Sequence, residues 1–265
     1  MIDKKKLVKI TESAIDELIT TFKRNPYFFY TENDLHCYLY NEIFNKLPIK
    51  EWQCQTGDGK TSILLHKEYP TKARYVAKNL KKVTSRGARG HFDLSIWNPE
   101  ETENRLFRVA NSTDFENEQH TFIALEFDLV EGNKSFEAAM HHFKWDLLKL
   151  TSEENQVEYG YSLVFVRDWA NKDDFITKAR SEAAKAKNTI VLYIEKDKTG
   201  KLGFESLPQR HLSETQKNKL SCCGKGSEPK WVQGRVAPNE AYLANLRTLS
   251  IPLLYFVNPS FVFRH

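Results

Sequence analysis

Apolar and polar positions along this chain follow two rhythms, and their order sketches the fold. From residue 7 to 24, Leu7, Ile10, Ile15, Leu18, Ile19 and Phe22 recur at helical spacing. The following Asn25-Pro26-Tyr27 stops that helix, because the residue before proline disfavours helical geometry. A second helix opens on Thr31 as N-cap, with Asp34 three residues on, and runs to about Leu47 along Leu35, Leu39, Ile43 and Leu47. Two short strands, "EWQCQT" and "TSILLHKEY", flank the turn-rich "GDGK". "HFDLSIW" is a strand closed by Asn98-Pro99, and residues 99 to 119 form an exposed polar connection. "TFIALEFDLV" is the next strand, and a helix over about 133 to 150 carries Phe136, Met140, Phe143, Leu147 and Leu150 on one stripe. "YGYSLVFVRD", "KDDFITKARSEAAKAK" and "TIVLYIEKD" then read strand, helix, strand, with "KLGFESL" pairing back across a Thr199-Gly200 turn.

Strand–helix–strand units at this spacing predict parallel pairing with right-handed crossovers, whereas the early strands, joined by short turns, predict antiparallel pairing. The expected fold is α/β: a mixed central β-sheet flanked by helices, with an N-terminal helix and a C-terminal extension. Residues 1–206 make the α/β domain. From 207 the pattern weakens into "QRHLSETQKNKLSCCGKGSEPK", and the apolar "AYLANLRTLSIPLLYFVNPSFVF" is expected to pack residues 207–265 back on the core.

Composition narrows this picture only slightly. The 265 residues are 40% hydrophobic, enough for a sizeable core, and the formal charge of +4 names no partner by itself. "MIDKKKLVKI" is not a charged-then-apolar leader, and no apolar run has the length of a membrane span, so the expectation is a soluble, cytoplasmic protein with no membrane partner. The cysteines, Cys37, Cys54, Cys222 and Cys223, form no CxxC pair and no zinc-ribbon spacing, which suits reduced thiols. The neighbours His36-Cys37 and His141-His142 point different ways on a helix and make poor metal sites.

The chemistry lies in "HTFIALEFDLVEG". Glu126 and Asp128 sit two apart inside an apolar strand and so share one face. Buried unpaired carboxylates are costly. If the strand bearing Asp93 is a neighbour, three carboxylates converge, and a hard divalent cation such as magnesium would neutralise them and serve phosphate chemistry. The bland alternatives are a strand-end turn cap at Asp93 and an exposed edge strand at Glu126. The apolar "FIAL" and "LV" around Glu126 and Asp128 favour a central strand instead. A second feature is the run from Tyr69 to Phe92, whose Lys72, Arg74, Lys78, Lys81, Lys82, Arg86 and Arg89 are accompanied by no acid. Such a run suits nucleic-acid phosphates, with a solvated surface as its plain reading. Glu68 is a further carboxylate of unassigned face.

These residues resemble the PD-(D/E)xK nuclease superfamily, the restriction-endonuclease-like fold, over roughly residues 28 to 195. "HFDLSIW" matches the metal-binding aspartate at Asp93, "ALEFDL" the metal-binding glutamate at Glu126, and "TENDLHCYL" the first-helix glutamate at Glu32, followed by Leu35 and Leu39. The resemblance implies Mg2+ or Mn2+ as cofactor, phosphodiester hydrolysis, DNA as partner, and a homodimer where both strands are cut. Two positions depart from the pattern: Phe92 stands where proline is usual, and Asp128 where the motif has lysine. Three explanations stand side by side. Asp128 takes the third position without loss of activity, a lysine from the crossover helix (Lys144 or Lys134) reaches the site, or cleavage has been lost and a nucleic-acid-binding or assembly module remains.

Overall fold

The computed structural model describes residues 2–76, 79–83, 88–107, 119–132, 134–197 and 199–201. The expected boundary at 206 and the extension over 207–265, with Cys222 and Cys223, lie outside the described residues.

Helix α1 (Lys4–Arg24) and α2 (Glu32–Asn45) come first, joined by a one-turn 3-10 helix over Pro26–Phe28. A short α3 (Ile49–Trp52) leads into β1 (Gln53–Gln55) and β2 (Thr61–Ile63), which pair antiparallel as a separate two-stranded sheet. The main sheet takes β3 (Leu65–Val76), β4 (Asn79–Val83), β5 (Ala88–Trp97), β6 (Thr121–Glu131), β7 (Tyr159–Arg167), β8 (Thr189–Glu195) and β9 (Thr199–Lys201). Its spatial order is β4-β3-β5-β6-β7-β8-β9. The β6–β7 and β7–β8 pairs are parallel and the rest antiparallel. Helix α4 (Phe136–Thr151) connects β6 to β7, and α5 (Lys172–Ala183) connects β7 to β8. The protein is therefore mixed α/β, with a mixed sheet between helices.

Alternation along the three parallel strands makes the two layers. Leu125 and Phe127 of β6, Leu163 and Phe165 of β7 and Ile194 of β8 bury against Leu7, Leu18 and Phe22 of α1 and Leu35, Leu39 and Ile43 of α2. Val130, Val164, Val166 and Val191 point the other way, onto Ala139, Phe143 and Leu147 of α4 and Phe175 and Ala179 of α5. β6 is central, and nearly all of it is buried.

Two readings of the sequence change. Thr199 and Gly200 are not a turn but belong to β9, paired with Ile194 and Tyr193. The strand begun at "TSILLHKEY" splits at Leu64, and its second part continues through "PTKARYV", so that with β4 and β5 most of the basic run is sheet. Among the described residues, no helix is long and apolar enough to cross a membrane.

Candidate functional site

The site forms where β5 and β6 part. Their ladder runs from Trp97↔Thr121 to Leu94↔Leu125. Beyond it, the Phe127 N–H donates to the Asp93 carboxylate at 2.8 Å, so a side chain takes the place of a rung. Asp93 stands in this gap, within reach of both helical layers.

From the first layer comes α2. The Thr31 hydroxyl accepts the Asp34 N–H at 3.3 Å, and the Asp34 carboxylate accepts the Thr31 N–H at 2.7 Å. This reciprocal cap fixes the first turn. Glu32, at its first position, turns to β6 and accepts the Leu129 N–H at 3.3 Å. His36 lies one turn on along the same face. Its Nε2 is 3.5 Å from Asp93 Oδ2 and 3.9 Å from Glu32 Oε1. One ligand atom from each of Glu32, His36 and Asp93 can be chosen so that all lie within 4.8 Å of one another. The imidazole is buried, and neither ring nitrogen has a hydrogen-bond partner among the described residues. Leaving such a group unbonded costs about 1–3 kcal/mol. Burial, helped by the Lys67 and Lys149 charges, pulls its pKa down to about 4. It is therefore neutral at pH 7, the form that ligates metals. Glu68 adds a carboxylate 4.0 Å from His36 Nδ1 and holds a left-handed φ of 53° within a strand. Strained backbone of that kind costs about 1–3 kcal/mol and recurs at functional sites.

From the second layer comes α4. Glu126 and Asp128 face it side by side. Lys149 Nζ lies 2.5 Å from Glu126 Oε2, 3.0 Å from Asp146 Oδ1 and 3.1 Å from the His91 carbonyl oxygen. Its stem passes over Gly90, where an added Cβ would sit 3.2 Å from Lys149 Cδ. Lys134 Nζ pairs with Asp128 Oδ1 at 3.1 Å. Glu126 Oε1 and Asp128 Oδ2 are buried and, among the described residues, without a hydrogen-bond partner.

Burial is the main reason these acids resist ionisation. It lifts Glu32 to about 7, with the Asp93 charge adding, and Asp93 to about 6, against the opposing Lys149 charge. It lifts Asp128 and Asp146 to about 7 and Glu126 well above the carboxylate range. Burial opposes the charge on Lys149, but Glu126, Asp146 and Asp93 outweigh it and hold its pKa above the usual lysine value. The converging ligand atoms of Glu32, His36 and Asp93, the imidazole unpartnered among the described residues, are a mixed nitrogen and oxygen donor set, and these residues fit a divalent cation.

Asp93, Glu126, Asp128 and Glu32 thus lie around one gap in the sheet. Lys144 does not join them. It pairs with Glu182 of α5 at 3.3 Å. Five residues along a helix turn about 140°, which puts Lys149 on a different face from Lys144, above the carboxylates. The (i, i+3) spacing of Asp146 and Lys149 was the available signal for this pair, as (i, i+4) was for Glu32 and His36. Read with Cys37, His36 gave a poor site. Read with Glu32, it gives this one.

Of the basic residues, Lys72 donates to Gln156 Oε1 at 3.1 Å and Arg89 Nε to the Thr71 carbonyl at 2.7 Å. Arg74 lies opposite Arg89 in the β3–β5 register. Lys78 and Arg86, and the side chains of Lys81 and Lys82, lie outside the described residues. No protein-family model, curated protein or solved structure matches the chain.

Proposed function

We propose that the protein is a divalent-metal-dependent nuclease that hydrolyses phosphodiester bonds of DNA, on a restriction-endonuclease-like core. The observation that carries this reading is the Glu32–His36–Asp93 group, with its orphaned imidazole, set beside the Glu126–Lys149 pair. The element order supports it: a helix with an early glutamate, antiparallel strands bearing Asp93 and Glu126, then a crossover helix to a parallel strand.

Asp93, Glu126 and Glu32 would hold Mg2+ or Mn2+, with His36 as a nitrogen ligand. When bound, the ion supplies Lewis-acid polarisation of the phosphate and a more acidic water. Lys149 takes the place of the motif lysine. Its raised pKa keeps it charged at pH 7, so it positions Glu126 and offers a fixed positive charge rather than acting as a base. Lys134 neutralises Asp128. Lys72 and Arg74 of β3 and Arg89 of β5 lie on the antiparallel strand pair that carries Asp93 and would hold the phosphate backbone.

The two ion pairs favour a second reading. With Lys149 on Glu126 and Lys134 on Asp128, two acids are balanced without an ion, as in a nuclease-fold protein that binds nucleic acid and does not cut. Plasmid and single-stranded DNA cleavage, measured in EDTA, Mg2+ and Mn2+ for wild type, Asp93→Ala and Glu126→Ala, separates them. Metal-dependent cleavage lost in both variants is expected. Binding without cleavage under every ion would replace the nuclease with the second reading.

A further inference from the structure

Three of the four exposed large apolar side chains among the described residues lie within four positions of one another, on the segment entering α2. Tyr27 is 64% exposed, Phe28 63% and Tyr30 85%. Their backbone is anchored. Pro26 and Phe29 are buried, and Phe29 packs on Phe22 and Tyr38. The buried Arg167 guanidinium donates to the Phe29 carbonyl at 2.7 Å and the Pro26 carbonyl at 3.4 Å. Tyr27 is fixed as well, with the Arg167 guanidinium 5.4 Å from its ring centre and its hydroxyl on Asp168. Water-facing aromatics on a pinned turn are a preformed platform, which spends little entropy in binding flat ligands.

The platform is continuous with the candidate metal centre. Tyr30 precedes the N-cap Thr31, and Glu32 follows. The neighbouring acids are already engaged: Asp34 in the cap, Asp168 by Tyr27 and Glu131 by Arg167. Lys23 and Arg24 stand just before the segment, in the last turn of α1, and no carboxylate among the described residues is bonded to either. Aromatic faces beside unpaired cations suit a strand with unstacked bases, whose rings stack while its phosphates meet the cations. Paired bases in a duplex present edges in grooves rather than open faces.

We infer that Tyr27, Phe28 and Tyr30 stack the unpaired bases of a single-stranded nucleic acid and lead that strand to Glu32 and Asp93. This rests on the nuclease reading for what happens at the carboxylates, but not for the stacking itself. The test is fluorescence anisotropy in EDTA, with a single-stranded oligonucleotide and its abasic counterpart of equal length. Phe28→Ala, Tyr30→Ala and the pair are measured beside wild type, with sedimentation of each. Wild type should prefer the base-bearing strand by about tenfold or more, and the double variant should lose most of that preference while binding the abasic strand unchanged. An unchanged preference in the double variant overturns the inference, as does a wild-type dimer that the substitutions dissociate, since a second copy would then cover the platform. Cleavage by wild type in Mn2+ is scored separately. Stacking without cleavage would remove the nuclease and keep the platform, and cleavage without stacking would do the reverse.

Discussion

Lys149 Nζ and Glu126 Oε2 stand 2.5 Å apart, both buried, one from the crossover helix and one from the central strand it covers. The pair fixes the end of α4 over the carboxylates and, among the described residues, supplies the one cation paired with Glu126. Removing a single member leaves its partner desolvated and without its counter-charge. Lys149→Met should destabilise the protein by ~3–5 kcal/mol, and Lys149→Met with Glu126→Gln should be more stable than Lys149→Met alone. Urea unfolding of the two variants checks the order, and the opposite order would mean that the pair is not mutually supporting.

The motif position and the helix position can be told apart by function. Lys149→Met should abolish cleavage even where the fold persists, whereas Asp128→Asn should retain a reduced rate. Single-turnover rates at saturating metal decide this. Loss in Asp128→Asn with retention in Lys149→Met would return the third role to Asp128.

Acid pH should stabilise the metal-free protein. Glu32, Asp128 and Asp146 titrate at about 7 and Asp93 at about 6 in the folded state, held up mainly by burial. Unfolded carboxylates titrate near 4. Between these values the folded chain binds more protons than the unfolded one, so the contribution is complete below about pH 4 and is lost as pH rises through 6 to 7. In EDTA the melting temperature should fall from pH 5 to pH 8. Mn2+ should raise it more at pH 8 than at pH 5, because the ion competes with protons for the same oxygens. An equal rise at both pH values would place the ion elsewhere.

Imidazole at the centre predicts a metal preference. His36→Ala should weaken Mn2+ binding about tenfold or more while changing Mg2+ binding less, since nitrogen ligands favour transition ions and Mg2+ favours oxygen. Calorimetric titration of both ions measures it, and equal losses would remove His36 from the ligand set.

Much of the fold was legible because its signals are local. The stripes of α1, α2 and α4 and the alternation of β6 follow from side-chain direction alone, and the apolar "FIAL" placed Glu126 on a central strand. The lysine was not legible. At the end of α4, beside the apolar Leu150, Lys149 reads as an ordinary complement to the helix dipole. Only the tertiary approach of β5, with Gly90 leaving room for its stem, turns it toward Glu126. His36 was hidden for a similar reason, since its partner Asp93 is distant in sequence. Thr199-Gly200 looked like a turn because glycine marks turns more often than short edge strands.

The Phe127 amide, held by a carboxylate where the β5–β6 ladder ends, has a further consequence. The antiparallel part of the sheet and the parallel part are sewn together by few rungs, and the last stitch is a titratable side chain rather than backbone. Deuterium uptake at that single amide is therefore a built-in reporter. It should quicken when Asp93 is protonated and slow when a cation locks the acid in its charged form, so that the seam registers occupancy of the centre before any substrate is added.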